Sequence, residues 1–260
     1  MSDRAGSLAG CTVVVTRPAH QAENLCRAIE AEGGEVLRHP VIEILPPADS
    51  AVLAARLASL TDYAIAVFIS ANAVDFAYSA ISKHVLPEHI TRVAVGRATA
   101  RALAAHGQPA QLEAPPPHNS EALLSLPQMQ AVQGLRVLIF RGEGGRGLLA
   151  DSLRERGAEV DYAEVYRRRP ARSDPRCLYR AWEAGNLDVI VLTSNEGLQN
   201  LYNQVDAAHR SQLLETPLVV IGERTAQLAR QLGFSGLVNV AHSASDASLL
   251  EALRALSRGK

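Results

Sequence analysis

The sequence predicts an α/β protein built on doubly wound parallel sheets, and three observations point there. Short β-branched runs alternate with helical patterns along most of the chain, and such alternation gives parallel strands with helices on both faces. The chain repeats itself at a domain-sized interval. Two extended stretches, Glu35-Val-Leu-Arg-His-Pro-Val-Ile-Glu-Ile-Leu-Pro46 and Glu159-Val-Asp-Tyr-Ala-Glu-Val-Tyr-Arg-Arg-Arg-Pro170, share their start, their end and a preceding Gly-terminated helical pattern. They read as limbs of a connector between two half-molecules, with Tyr166 on the returning limb.

Taken in order, Val13–Thr16 is a short β-branched strand, and Ala22, Leu25, Cys26 and Ile29 follow it at helical spacing. Gly33 stands where a helix C-terminal glycine belongs, since left-handed backbone costs glycine nothing. After the first limb, Leu53, Leu57 and Leu60 mark a helix. Ala64–Ile69 is a buried strand running into Ser70, whose side-chain oxygen suits the N-cap of a helix carrying Val74, Ala77, Tyr78 and Ile81. Arg92–Val95 turns at Gly96 into a short helix ended by Gly107. Pro115-Pro116-Pro117 makes a stiff loop before a helix at Glu121.

Arg136–Phe140 then restarts the pattern, with Leu149 and Leu153 on its helix and Gly157 at the helix end. Leu178 and Trp182 mark a helix after the second limb. Asp188–Leu192 runs into Thr193-Ser194-Asn195 and a helix with Leu198, Leu201, Tyr202 and Val205, and Leu218–Ile221 turns at Gly222 into a helix ended by Gly233. A shift of 124 residues carries Arg17 onto Arg141, Gly33 onto Gly157, Pro46 onto Pro170 and Ser70 onto Ser194; a shift of 126 carries Gly96-Arg-Ala-Thr-Ala onto Gly222-Glu-Arg-Thr-Ala. A period this long means duplication of a domain, not a solenoid. If both limbs cross, the first strand and helix pack with the residues after Ala171 while the middle of the chain forms the other lobe. Otherwise two lobes follow in sequence, split near Gly134. The repeat fits both arrangements.

The totals narrow the function classes. A chain of 260 residues with 47% hydrophobic residues can bury one large core or two modest ones. The net charge of −1 is interspersed, so no overall field favours nucleic acid or a membrane surface, and any anion site must be a local cluster of donors. Cys11, Cys26 and Cys177 are odd in number and lack metal-ligand spacing, which suits a reducing cytosol and small buried side chains. The first residues lack an apolar leader and no apolar run is long enough to span a bilayer, so a cytoplasmic protein is expected.

Ligands of open α/β sheets bind beyond the carboxyl ends of the strands, where helix N-termini present free N–H groups. The segments there are Thr16-Arg17, Ser70-Ala71-Asn72, Gly96-Arg97-Ala98-Thr99, Arg141 to Gly147, Thr193-Ser194-Asn195 and Gly222-Glu223-Arg224-Thr225. Hydroxyls, glycines and arginines dominate them and carboxylates are few, a composition suited to a polyanion. Any one of these residues alone could equally be a simple cap or a solvated arginine. Six such loops at equivalent positions favour a ligand.

Gly142-Glu-Gly144-Gly-Arg-Gly147 satisfies the G-x-G-x-x-G pattern after a strand, with Asp161 and Glu164 near the next strand, so a nicotinamide enzyme is the alternative. Against it, the equivalent loop at Thr16–Gln21 has no glycine, and Arg146 sits where bare backbone must approach a pyrophosphate. There is no Walker A loop and no nucleophile elbow. His39, His106, His118 and His242 lie singly, and Pro87 separates His84 from His89, so no metal-ligand pattern emerges. Tyr166 supports two readings. It is an aromatic on an exposed ribbon packed along the stems of Arg167–Arg169, or a phenol donor that assists departure of a hydroxyl group. A two-lobed ligand receptor is a further alternative, disfavoured by the missing leader.

The ordered set Val13-Val-Val-Thr-Arg-Pro18, Phe68-Ile-Ser-Ala-Asn-Ala-Val74, Gly96-Arg-Ala-Thr-Ala100, Arg141-Gly-Glu-Gly-Gly-Arg146, Val165-Tyr-Arg-Arg168, Leu192-Thr-Ser-Asn195, Ile221-Gly-Glu-Arg-Thr-Ala226 and Ala241-His-Ser-Ala-Ser-Asp246 resembles the uroporphyrinogen-III synthase family from Val13 to about Leu256. Each motif is weak alone; their order and spacing together are specific. The resemblance implies two flavodoxin-like lobes joined by a two-stranded ribbon: residues 1–36 with 169–260 in one lobe, 44–162 in the other, and 37–43 with 163–168 as the ribbon. It implies hydroxymethylbilane, a linear tetrapyrrole with eight carboxylates, as substrate, held in a cleft between the lobes. Dehydration and ring closure with inversion of the fourth pyrrole then give uroporphyrinogen III, with no metal or organic cofactor. On this resemblance Tyr166 is the group nearest the leaving hydroxyl and Thr225 contacts substrate, with Thr99 its first-copy equivalent. The expected binding set is Arg17, Ser70, Ala71, Thr99, Arg141, Gly144, Arg146, Ser194, Asn195, Gly222 and Thr225. A monomer making transient contact with hydroxymethylbilane synthase, and with no nucleic-acid or membrane partner, is also expected.

Overall fold

A computed structural model describes residues 6–81 and 85–257; His84 lies outside them. In chain order the first elements are β1 (Thr12–Val15), α1 (Ala19–Ala31), β2 (Glu35–Arg38), β3 (Ile42–Leu45), α2 (Ser50–Ala58), β4 (Ile65–Phe68), α3 (Ala71–Ala80) and β5 (Thr91–Ala94). There follow α4 (Arg97–Ala105), β6 (Leu112–Glu113), α5 (Ser120–Leu124), α6 (Pro127–Gln130), β7 (Arg136–Gly142), α7 (Leu148–Glu155) and β8 (Glu159–Pro170). The last are α8 (Arg176–Glu183), β9 (Val189–Leu192), α9 (Asn195–Gln204), α10 (Arg210–Glu215), β10 (Leu218–Ile221), α11 (Glu223–Gln231), β11 (Val238–Ala241) and α12 (Asp246–Ser257).

The local reasons are visible in the side chains. β4 and β9 are buried along their whole length, as strands covered on both faces must be. α1 turns Ala22, Leu25, Cys26 and Ile29 inward, and Gly33 takes φ 79° just beyond its end. The described residues up to Glu43 and from Arg169 onward group into one compact unit, and Ile44–Arg168 into another.

The first unit holds a five-stranded sheet in the order β11-β10-β9-β1-β2, parallel throughout. Val14 of its central strand lies opposite Leu37 on one side and Ile190 on the other. Val13, Val15, Leu25, Ile29, Val191, Val219 and Leu253 form a core on one face. The second unit holds a six-stranded sheet in the order β3-β8-β7-β4-β5-β6, in which β8 through β6 run parallel. Its sheet is packed on both faces, with Phe68, Tyr78, Phe140 and Tyr166 in one cluster and Val67, Val93, Ile139 and Leu153 in the other. The walk β2-β1-β9-β10-β11 in one unit matches β8-β7-β4-β5-β6 in the other. Strand order therefore reverses between β1 and β9, and between β7 and β4, where crevices open in sheets of this kind.

The second limb does not leave the sheet at Ala163, where the resemblance would begin the ribbon. β8 stays paired with β7 as far as Tyr166, which lies opposite Gly142. Val165 and Tyr166 are both buried, and buried backbone must keep its hydrogen bonds.

Candidate functional site

At the reversal point of the second unit, the carboxyl ends of β7 and β4 open into a hollow of about 360 Å³ lined by Ser70, His118, Arg141, Arg146, Tyr162 and Tyr166, among others. A bulge aims the tyrosine into it. Arg141 pairs with Glu164 but Gly142 pairs with Tyr166, so Val165 is an extra residue and the in–out alternation of β8 breaks there. Tyr166 is consequently 3% exposed. Its ring packs on Phe76 at 5.8 Å between centroids, and its phenol oxygen lies 3.2 Å from Ser70 Oγ. This corrects the picture of an exposed aromatic lying along the arginine stems.

Ser70 is held by its own task as N-cap of α3, where Oγ accepts the Ala73 N–H at 3.1 Å. Ala71 is the first residue of that helix. Gly142 makes room for the phenol: a Cβ there would lie 2.6 Å from the tyrosine Cε2.

Arg141 is the buried charge of the hollow, 5% exposed. Its Nε donates to the Gly142 carbonyl at 3.2 Å, and its guanidinium carbon lies 4.6 Å from the centroid of the Tyr162 ring. Gly145 passes directly over it, since a Cβ there would come within 2.6 Å of Nη2. Among the described residues no carboxylate lies within 4.0 Å of this guanidinium. A buried cation without a counter-ion is costly, so the site favours an incoming anion. Gly144 and Gly145, at φ 74° and 94°, form the left-handed turn that carries the exposed Arg146 to the edge of the hollow.

The dinucleotide alternative does not fit this loop. Asp151 occupies the mouth of α7, with its Oδ2 2.6 Å from where a Gly147 Cβ would be, and a carboxylate there repels a pyrophosphate. Asp161, the candidate for a ribose, is taken by Arg56 at 3.0 Å and by the Tyr63 hydroxyl at 2.8 Å.

In the first unit the corresponding strand ends bring Ser194, Asn195, Gly222 and Thr225 together. Ser194 caps α9 by accepting the Gly197 N–H at 3.0 Å. The Thr225 hydroxyl, 3% exposed, lies 2.8 Å from Asn195 Oδ1 and 3.1 Å from the Ile221 carbonyl. Gly222, at φ 74°, turns β10 into α11. Arg17 is already matched: it meets Asp246 at 2.5 Å and the Ala244 carbonyl at 2.8 Å. Thr99, equivalent to Thr225 by sequence shift, is buried in the first turn of α4. Spacing passed over His118 and Tyr162, because neither falls in a loop that the repeat singles out. Among the described residues no group of three or more His, Cys, Asp or Glu is placed to hold a metal, and no helix is long and apolar enough to cross a membrane.

Residues 23–251 match the family model described as uroporphyrinogen-III synthase HemD. A uroporphyrinogen-III synthase of Escherichia coli K12 is 36% identical over 249 residues, covering 94% of this chain and 100% of the relative. One from Salmonella typhimurium is 35% identical over 254 residues, with coverage of 94% and 100%. Among solved structures, a mutant uroporphyrinogen III synthase from the extremely thermophilic bacterium Thermus thermophilus matches with a TM-score of 0.61 at 18% identity, over 96% of this chain and 100% of that one. The uroporphyrinogen-III synthetase of Helicobacter pylori also gives 0.61, at 16% identity, over 95% and 99%. At such identities the structural likeness speaks for the α/β fold alone.

Proposed function

The chain belongs to the uroporphyrinogen-III synthase family, a carbon–oxygen lyase of tetrapyrrole biosynthesis, and from that premise we propose how its residues handle hydroxymethylbilane. The observation that carries the proposal is the meeting of a counter-ion-free buried arginine with a hydroxyl pair in one hollow: Arg141 beside Tyr166 and Ser70. The substrate's carboxylates suit the first; its leaving hydroxyl suits the second.

A pyrrole nitrogen can expel the hydroxyl group with little help, leaving a reactive azafulvene, so no strong acid or base is required. Tyr166 assists by donating its phenolic proton to the departing oxygen, which leaves as water, and the N–H proton given up as the pyrrole becomes an azafulvene restores the phenol. For that, the Ser70 hydroxyl must be the donor in the 3.2 Å contact, leaving the tyrosine O–H free to point into the hollow. Ser70 can do both jobs, because its oxygen accepts from Ala73 N–H while its own proton faces Tyr166. Unaided closure gives the unrearranged isomer. Favouring attack at the substituted carbon of the last ring by ~100-fold needs only about 2.7 kcal/mol of differential transition-state binding, which orientation can supply. Arg141, Gly144, Arg146 and the N-termini of α3 and α4, with Ala71 and Thr99, take carboxylates in the second unit. Ser194, Asn195, Gly222 and Thr225 do so in the first, and Arg17, held by Asp246, has the least charge to offer.

The two units are read as duplicated flavodoxin-like lobes, with residues 37–43 and the end of β8 beyond Tyr166 as connecting limbs. The matching strand walks support this, as do the near-identical N-cap geometries of Ser70 (φ −159°, ψ 161°) and Ser194 (φ −161°, ψ 157°). The chain is taken to act as a cytoplasmic monomer without metal or organic cofactor.

A coupled assay with porphobilinogen and hydroxymethylbilane synthase, resolving type III from type I product by chromatography, tests the function. A type III excess over the protein-free control is expected; a spontaneous isomer ratio overturns the assignment. In the same assay Tyr166→Phe should lower kcat about 100-fold, the lower end of a lost acid–base contribution, while KM changes little. An unchanged kcat removes the phenol from the mechanism.

A further inference from the structure

Among the described residues His118 is the one non-glycine with a left-handed backbone, at φ 59°. Crowding at Cβ makes that conformation costly for L side chains, and it persists only where its surroundings hold it. Two hydrogen bonds hold it here. The backbone N–H donates to the Pro115 carbonyl at 2.8 Å, and Nδ1 lies 2.7 Å from the Ala114 carbonyl. A carbonyl only accepts, so Nδ1 carries the proton and the neutral ring offers Nε2 as a lone-pair acceptor. The Glu113 carboxylate lies 3.8 Å from Nδ1. Nε2 has no partner among the described residues, and His118 lines the hollow that contains Ser70, Arg141 and Tyr166.

The arginines of that hollow can only donate. They suit the substrate's carboxylates and have nothing to give its four pyrrole N–H groups, which are themselves donors. Resting on the functional reading of the hollow given above, we propose that His118 is a further substrate-contacting residue. Its Nε2 accepts a hydrogen bond from a pyrrole N–H and so selects the orientation of the ring seated there. Backbone strain and a fixed ring tautomer then serve one end, a lone-pair acceptor in the lining of an arginine-rich hollow.

His118→Asn and His118→Gly both tolerate the left-handed backbone, so each variant should fold. In the coupled assay both should raise KM about fivefold, the size of one lost hydrogen bond, with kcat nearly unchanged. Their melting temperatures should stay close to that of the wild type, because relief of the backbone offsets the lost Nδ1 hydrogen bond to the Ala114 carbonyl. A KM within about twofold of wild type in both variants, or a melting-temperature loss above about 5 °C in both, overturns the proposal and leaves His118 a structural residue. A wild-type protein that forms no type III product sinks the functional reading, and this inference with it. An active wild type with unchanged variants sinks the inference alone.

Discussion

On the proposed reading of the hollow, Arg141 works against stability and for binding. Its guanidinium is almost wholly buried, stacked on Tyr162 and bridged by Gly145, with no carboxylate partner among the described residues. Even a buried ion pair is often replaced by apolar side chains of similar volume with a gain of about 1–4 kcal/mol, and an unpaired buried cation has less still to offset its desolvation. Arg141→Met should therefore melt higher than the wild type while its KM for hydroxymethylbilane rises about tenfold, equal to some 1.4 kcal/mol of lost anion binding. Lysine would not substitute well, since it lacks the planar face that lies on Tyr162. Melting curves and steady-state rates on the same preparations decide it. A variant that melts lower and binds equally well would make Arg141 a structural cation.

The strand β8 and its bulge carry the element-scale logic. One extra residue, Val165, lets two consecutive side chains turn inward and puts the phenol of Tyr166 against Ser70. Gly142 on the paired strand is the matching half of that device, because only a hydrogen fits beneath the ring. Gly142→Ala should displace the phenol and lower kcat to about the level of Tyr166→Phe, and the double variant should be no worse than either single, as coupled neighbours behave. Additive losses would mean that Gly142 acts elsewhere. The contrast marks what the sequence could disclose. Strand–helix alternation, the glycine after α1, and the capping roles of Ser70 and Ser194 are all local, so they were legible from residue type and period. The bulge was not, since Glu159–Pro170 reads as an unbroken extended run until its partner strand is known. The left-handed His118 was hidden for a similar reason: nothing in a histidine advertises positive φ, and its hydrogen bonds to Ala114 and Pro115 exist only after the turn has closed. Arg141, Ser70 and Tyr166 could be named from strand ends and resemblance, but their assembly in one hollow needed the fold.

At the scale of the whole molecule, stability and its dependence on pH follow from where ionisable groups lie. Several carboxylates pair with arginines at the surface, as Glu23 does with Arg27 and Arg38, and such pairs contribute little each. Of the groups displaced from their ordinary values, His39 is the one whose ordinary value, 6.5, falls near neutrality. It is 1% exposed beside Gln204 and Cys177, and burial pushes its imidazole down, with the Gln204 hydrogen bond and the charge of Asp174 opposing. In the unfolded chain the ring takes up a proton as the pH falls through the ordinary value; in the folded chain it does so only at lower pH. The unfolded state then binds more protons, so stability is complete above that value and declines as the pH drops below it. Melting temperatures taken at about pH 7.5 and pH 5.5, on either side of the ordinary histidine range, should fall across this interval. His39→Gln, which cannot take up the proton, should melt lower at the higher pH but lose less on acidification. If wild type and variant lose the same amount, the acid sensitivity of the fold arises from some other group, and burial at His39 is without consequence for folding.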